Sequence, residues 1–126
     1  MRVLFIAPRL CVPADTGAKI RTLNIVKQIA KIGQIDFVSF SFEKDDVKHK
    51  AQLEQLGVQV YLVEHEKTGL FDIAQGVLFD ARPFSAVKYD EESMRETIRT
   101  LLMEKKYDLV HVDHIHMTHY RDCFSH

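Results

Sequence analysis

Two clusters in this 126-residue sequence have residue types and spacing suited to chemistry. The first is PRLCVPADTGAKIR, residues 8–21, where Gly17 is followed by Ala18, Lys19 and Arg21. At the start of a helix the free backbone N–H groups and the helix dipole favour negative charge, and a glycine there allows close approach. Lys19 and Arg21 add positive charge, so the segment reads as a cradle for an anion or for hydroxyl groups. The plainer structural reading is that Gly17 permits an irregular turn and that both cations are solvated. The segment lacks the three spaced glycines of a dinucleotide fingerprint and the Gly-Lys-Ser/Thr of a Walker loop. Ala7, Pro8 and Arg9 stand where a phosphorelay receiver would need acidic residues.

The second cluster is HVDHIHMTH, residues 111–119, with His111, Asp113, His114, His116 and His119. In a strand His111 and Asp113 share a face, and His114 opens the loop that follows. An imidazole beside a carboxylate at a strand's carboxyl end suits general-base work or hydroxyl binding, and it titrates near neutral pH. Asp113 and His114 are therefore the catalytic candidates, and which of them takes the role stays open. His111 reads as a packed sheet residue, and His116 and His119 as surface residues. A zinc site from His114, His116 and His119 with Asp113 or Cys123 fits neither HExxH nor paired-cysteine spacing, so no metal is expected.

The elements that must position these clusters alternate in type. Residues 3–7 form a continuous apolar run, the pattern of a strand buried on both faces. Residues 8–16 are a loop punctuated by Pro8 and Pro13. A helix is expected over 17–32, with Ile20, Leu23, Val26, Ile29 and Ala30 as its apolar stripe, Asp15 or Thr16 as its N-cap and Gly33 as its C-terminal cap. Strands follow at 35–42 and 58–63, with a polar helix at 45–56 between them, closed by Gly57. At its start, Glu43, Lys44, Asp45 and Asp46 read as a water-facing cap. Residues 70–79 read as an apolar helix ended by Arg82 and Pro83, with Phe84 as a core anchor. A late helix spans 91–105, burying Met94, Ile98, Leu101 and Leu102. Asp90, Glu91 and Glu92 favour its positive end, and Lys105 and Lys106 its negative end. A fourth strand is expected over 108–113.

Strand–helix alternation of this kind predicts an α/β fold: a Rossmann-like open, mostly parallel sheet with helices on both faces. Such sheets bind ligands beyond the carboxyl ends of their strands, where the strand order reverses. That places the site at the loop after Ala7 and at the segment after Val112, where the two clusters lie.

Composition narrows the partners. Seventeen Lys+Arg against 18 Asp+Glu give a net charge of −1, which argues against a dedicated nucleic-acid binder. With 46% hydrophobic and 28% charged residues the chain is ordinary globular material of single-domain length. Cys11 and Cys123 make no disulfide framework and fit a reducing compartment. The apolar N-terminal run is too short for a membrane span and is cut by Pro8 and Arg9. The expected location is cytoplasmic, with peripheral contact at the membrane's inner face as a variant of it.

Taken in order, RVLFIAPRLCVPADTGAKIRTLNIVKQIAKIGQIDFVSF, RPFSAVKY and KKYDLVHVDHIHM resemble the N-terminal half of retaining glycosyltransferases of family 4, in the bacterial exopolysaccharide-type subgroup. The resemblance implies a GT-B architecture, in which two Rossmann-like domains face each other across a cleft. It places Gly17 on the glycine loop under the transferred sugar and donor phosphates, with Ala18 where many members have a second glycine. Lys19 and Arg21 fall on a basic first turn that serves anionic or polyol acceptors. The run from His111 to His114 stands where many members read H-x-H-E, so Asp113 or His114 inherits the place near the reacting centre. The implied reaction moves a sugar from a nucleotide-sugar donor to a glycan or lipid-linked acceptor, with no metal or other cofactor. The donor contacts of that family belong to a second domain, so residues 1–126 correspond to the acceptor side and are expected to be inactive alone. Exposed interdomain surface would then favour a homo-oligomer. The rival reading is a stand-alone, flavodoxin-like binding or interaction module for a small anion or a protein partner.

Overall fold

The apolar run near the N-terminus is β1, Arg2–Ile6, and Val3, Leu4, Phe5 and Ile6 are fully buried in it. Leu4 and Ile6 face one core and Phe5 and Ala7 the other, so both faces of the strand are covered. The computed structural model describes residues 1–65 and 91–124. The expected helix at 70–79, its Arg82-Pro83 break, Phe84 and Asp90 lie outside the described residues.

After β1 come α1 (Gly17–Ala30), β2 (Gln34–Ser41), α2 (Asp46–Glu54), β3 (Gln59–Glu64), α3 (Glu92–Glu104), β4 (Leu109–Val112) and a terminal 3-10 helix (Ile115–Cys123). All strand pairs are parallel and the order is β3-β2-β1-β4. The fold is thus an open α/β sheet of Rossmann-like type. The chain moves outward from β1 through β2 to β3, then returns to β1's other side as β4. The order therefore reverses between β1 and β4, which is the switch point of such a sheet.

Two cores cover the sheet. On one face Val26 of α1 and Leu53 of α2 pack over Phe5, Phe37 and Val60. On the other, Met94, Ile98 and Leu101 of α3, with Met117 and Tyr120 of the 3-10 helix, pack over Ile6, Val38 and Phe40. Each such fully buried side chain contributes roughly 1.5–3 kcal/mol over its exposed state. Tyr120 also ties the 3-10 helix to α3, since its hydroxyl accepts the Glu91 N–H at 2.9 Å.

One local expectation is settled and several change. The N-cap of α1 is Thr16, whose hydroxyl accepts the Lys19 N–H at 3.2 Å. Ile20 is 48% exposed and leaves the apolar stripe. At about 100° per residue it lies away from the face centred on Thr22 and Val26, the two residues α1 buries fully. Gly33 is no left-handed cap. A Cβ there would meet the Met1 carbonyl oxygen at 2.5 Å, so glycine is required by the close approach of two backbones. Asp46, rather than Asp45, organises the start of α2. Its Oδ2 accepts the Phe42 and Glu43 N–H groups at 2.8 and 2.9 Å, so it is a partly buried turn-former and not a water-facing charge.

Lys105 leaves the helix end it was expected to serve. Its Nζ reaches Tyr61 Oη at 2.7 Å and Asp36 Oδ2 at 3.3 Å. Asp36 is 2% exposed and also accepts the Tyr107 hydroxyl at 2.6 Å. This polar staple sits at the opposite end of the sheet from the loops that follow β1 and β4. Burial and the Asp36 carboxylate push the Tyr107 hydroxyl far above the ordinary tyrosine range.

Candidate functional site

β1 and β4 each extend their pairing by one residue at the carboxyl end. Ala7 donates its N–H to Val38 at 2.9 Å, and Asp113 donates to Ile6 at 2.7 Å. These bonds fix where the two loops leave the sheet. Between them opens a cleft of about 430 Å³, whose walls include Leu10, Cys11, Ala18, Thr22, Asp113 and His114. That volume falls within the range of small-molecule sites.

Asp113 is the anchor. It is 4% exposed, and a carboxylate this buried needs donors. Thr22 Oγ1 donates to its Oδ2 at 2.6 Å, and Arg21 Nη2 donates to its Oδ1 at 3.1 Å. The Thr22 oxygen also lies 3.0 Å from the Ala18 carbonyl. A hydroxyl has one proton, and the short approach to a charged acceptor assigns it to Asp113. His114 Nε2 stands 3.2 Å from Asp113 Oδ2, and His111 Nε2 stands 3.9 Å from Oδ1.

His114 has φ 73° and ψ 141°. A non-glycine residue with positive φ carries steric cost, of order 1–3 kcal/mol, and such residues gather at functional sites. The conformation turns the chain from β4 into the 3-10 helix and sets His114 on the cleft wall beside Asp113. His116 joins the same wall, its ring parallel to that of His114 within 5° at a centroid distance of 6.1 Å. His116 is therefore a half-buried cleft residue and not a plain surface one. His119 is half-buried too, its ring 4.2 Å from that of Tyr120. His111 packs in the sheet as expected, stacked on Phe5 at 4.4 Å.

The basic first turn divides. Ala18 and Lys19 line the cleft; Gly17 and Arg21 do not. Helical geometry explains the split, because positions 18, 19 and 22 share a side that 17 and 21 lie away from. Arg21 reaches around the helix to Asp113, so it positions the carboxylate and does not face the cavity. Lys19 is committed to Asp15 at 3.1 Å, an ion pair that also holds the exposed Asp15 carboxyl below its usual value. A Cβ on Gly17 would meet no atom within 4 Å, so the fold itself makes no demand for glycine there.

Thr22 and Arg9 are cleft residues that motif reading passes over. Thr22 had a signal, being a polar residue four positions before Val26 on the helix face that enters the core. Cys11 also lines the cleft, but burial raises its thiol to about 11, so it is no nucleophile near neutral pH. Cys11 and Cys123 are both free. Among the described residues no three His, Cys, Asp or Glu side chains are arranged to hold a metal ion, and no helix is long and apolar enough to cross a membrane. The chain matches no family model, no curated protein and no solved structure.

Proposed function

We propose that this chain is the acceptor-side domain of a retaining, nucleotide-sugar-dependent glycosyltransferase of GT-B type, and that its cleft holds a hydroxyl-bearing glycan or lipid-linked acceptor. The observation that carries the reading is the Asp113 carboxylate. It stands at the switch point between β1 and β4 with Thr22 and Arg21 as donors and a strained His114 at its side. Ligands of open α/β sheets bind at that place, and the surrounding groups are those that orient hydroxyls. The ordered resemblance of residues 2–40, 82–89 and 105–117 to family 4 supplies the reaction class.

The charge arrangement favours this reading over an anion-binding module. Lys19 is neutralised by Asp15 and Arg21 by Asp113, so the first turn offers little uncompensated positive charge. In the proposed enzyme His114 and Asp113 orient the acceptor hydroxyl. A second Rossmann-like domain binds the donor and stabilises the departing diphosphate.

The test is donor consumption and transfer by the longest native reading frame, assayed with a panel of nucleotide sugars beside the 126-residue chain. Transfer by the longer protein, lost in Asp113→Asn and His114→Ala, supports the reading. Full transfer by the 126 residues alone would sink the two-domain scheme, and absence of donor consumption by the longer protein would sink the glycosyltransferase itself.

A further inference from the structure

The last turn of α3 turns an apolar side to solvent. Met103, at 87%, is the most exposed large apolar side chain among the described residues. Leu102, expected in the core, is only half-buried. With Tyr107, with Val110 of β4 and with Phe124 past the 3-10 helix, they line a groove of about 760 Å³. That volume falls within the range of small-molecule sites. The groove shares no wall residue with the cleft, and two of its walls, Lys105 and Tyr107, belong to the Asp36 staple at the far end of the sheet.

The floor of this groove is pre-formed. Leu102, Tyr107, Val110 and Phe124 pack on the core beneath α3, and the Tyr107 ring is held by the 2.6 Å bond from its hydroxyl to Asp36. A surface already ordered gives up little on binding. Met103 adds a flexible, unbranched side chain of the kind that adapts to varied apolar ligands.

The charged groups of the groove have one sign. Arg99, Lys105 and Lys106 line it, and no carboxylate does. Lys105 is committed to the buried Asp36, and Arg99 to Glu92. Lys106 is exposed and makes no ion pair among the described residues, so one cation is uncompensated. This charge pattern selects the occupant. A second copy docked about a two-fold axis would set the same three cations against themselves. A phosphate monoester brings roughly 1.5–2 negative charges, more than Lys106 balances. A carboxylate brings one, and an alkyl chain behind it suits the apolar floor.

We propose that this groove is a second ligand site, which takes an alkyl carboxylate of fatty-acid type. The chain lies along Leu102, Met103 and Val110, and the head stands on Lys106. The site is independent of the acceptor reading of the cleft.

The test titrates the isotope-labelled chain with decanoate, hexanoate and decyltrimethylammonium, each below its micelle-forming concentration. The readouts are the Met103 methyl group and the Lys106 and Val110 amides. Decanoate is expected to move all three and to leave the His114 amide in place. It should bind on the order of tenfold more tightly than hexanoate, through its longer chain, and on the order of tenfold more tightly than the decyl cation, through its head. Lys106→Glu should abolish the preference for carboxylate over ammonium, and Met103→Gln should weaken both decyl probes alike. Both side chains are exposed, so the variants should melt with the parent. The comparison of carboxylate with ammonium on the parent chain needs no variant. Equal binding of the two decyl probes would overturn the proposal, as would decanoate shifts of equal size at other exposed apolar residues such as Ile32 and Val47, or no shift at Met103. A dimer by light scattering that Met103→Gln converts to monomer would give the groove to a second copy and overturn it too.

Discussion

Arg21 Nη2 and Asp113 Oδ1 lie 3.1 Å apart, joining the first helix to the end of the last strand across 92 positions of sequence. The two partners are unequal. Asp113 is 4% exposed and Arg21 56% exposed, so water screens the cation far more than the anion. An ion pair with one partner in solvent contributes little, commonly under about 1 kcal/mol. The hydroxyl of Thr22, which is itself buried, has no such competition from water.

Thr22 should therefore matter more to stability than Arg21. Thr22→Val keeps the shape and removes one donor from a buried carboxylate, at a cost of about 1–3 kcal/mol. Arg21→Ala should cost less than about 1 kcal/mol, and Thr22→Ser should restore most of the loss. Urea unfolding midpoints of the three variants decide it. A larger loss in Arg21→Ala than in Thr22→Val would show that charge neutralisation, and not the buried hydrogen bond, secures Asp113.

The same contrast explains what could be read from the sequence. Periodicity located every described strand and α-helix to within a residue or two, because continuous apolar runs such as that of β1 specify burial on both faces, but it read the 3-10 helix Ile115–Cys123 as a loop. It also pointed to the carboxyl ends of β1 and β4, where the cleft opens, because alternation of strands with helices implies a parallel sheet whose strand ends lie on one edge. Side-chain partnerships were not legible in this way. Whether Arg21 enters the cleft or wraps around α1 depends on helix rotation, which Thr22 and Val26 set by entering the core. Asp36 shows the converse. A lone acid inside the apolar run of β2 signals a buried polar contact, but its partners Lys105 and Tyr107 come from elements far along the chain.

Gly17, the first residue of α1, and Gly33, just past its end, should respond oppositely to alanine. Gly17→Ala meets open space at an ordinary helical position and should be neutral or mildly stabilising, since alanine is the better helix residue. Gly33→Ala forces a Cβ against the Met1 carbonyl and endangers the Gln34 N–H bond to that oxygen, with an expected loss of about 1–3 kcal/mol. Thermal melts of the two variants check the sign. If Gly17→Ala also abolished ligand binding, a ligand would have to approach the backbone at Gly17, which stands outside the cleft wall.

Acid sensitivity should trace in part to Asp46. Burial alone would raise its carboxyl, but hydrogen bonds from the Glu43 and Phe42 N–H groups, His49 and Ser41 outweigh it and hold it below the ordinary 3.8. The folded state thus binds this proton less readily than the unfolded chain. The contribution is complete above the unfolded value and is lost as pH falls through the native one. Asp46→Asn should be less stable than the parent near neutral pH, and the gap should narrow below about pH 4. Urea midpoints compared from pH 7 to pH 3 read the effect, and a gap constant over that range would count against it.

His114 should reverse the usual ranking of glycine and alanine. At an ordinary position glycine is the less stable of the two by about 0.5–1 kcal/mol, through its greater freedom when unfolded. At φ 73° a Cβ is strained, and only glycine removes that strain. His114→Ala keeps the strain and gives up the contact with Asp113, so it should be the least stable of the three. His114→Gly should exceed it by about 1 kcal/mol and approach or pass the parent. A histidine held at such a position without gain in stability is the mark of a residue retained for what it does in the cleft. Denaturation of the two variants, paired with sugar titration of each, separates the outcomes. His114→Gly that is stable and no longer binds would assign the strain to function. His114→Gly less stable than His114→Ala would show that the imidazole's contacts, and not function, hold the backbone there.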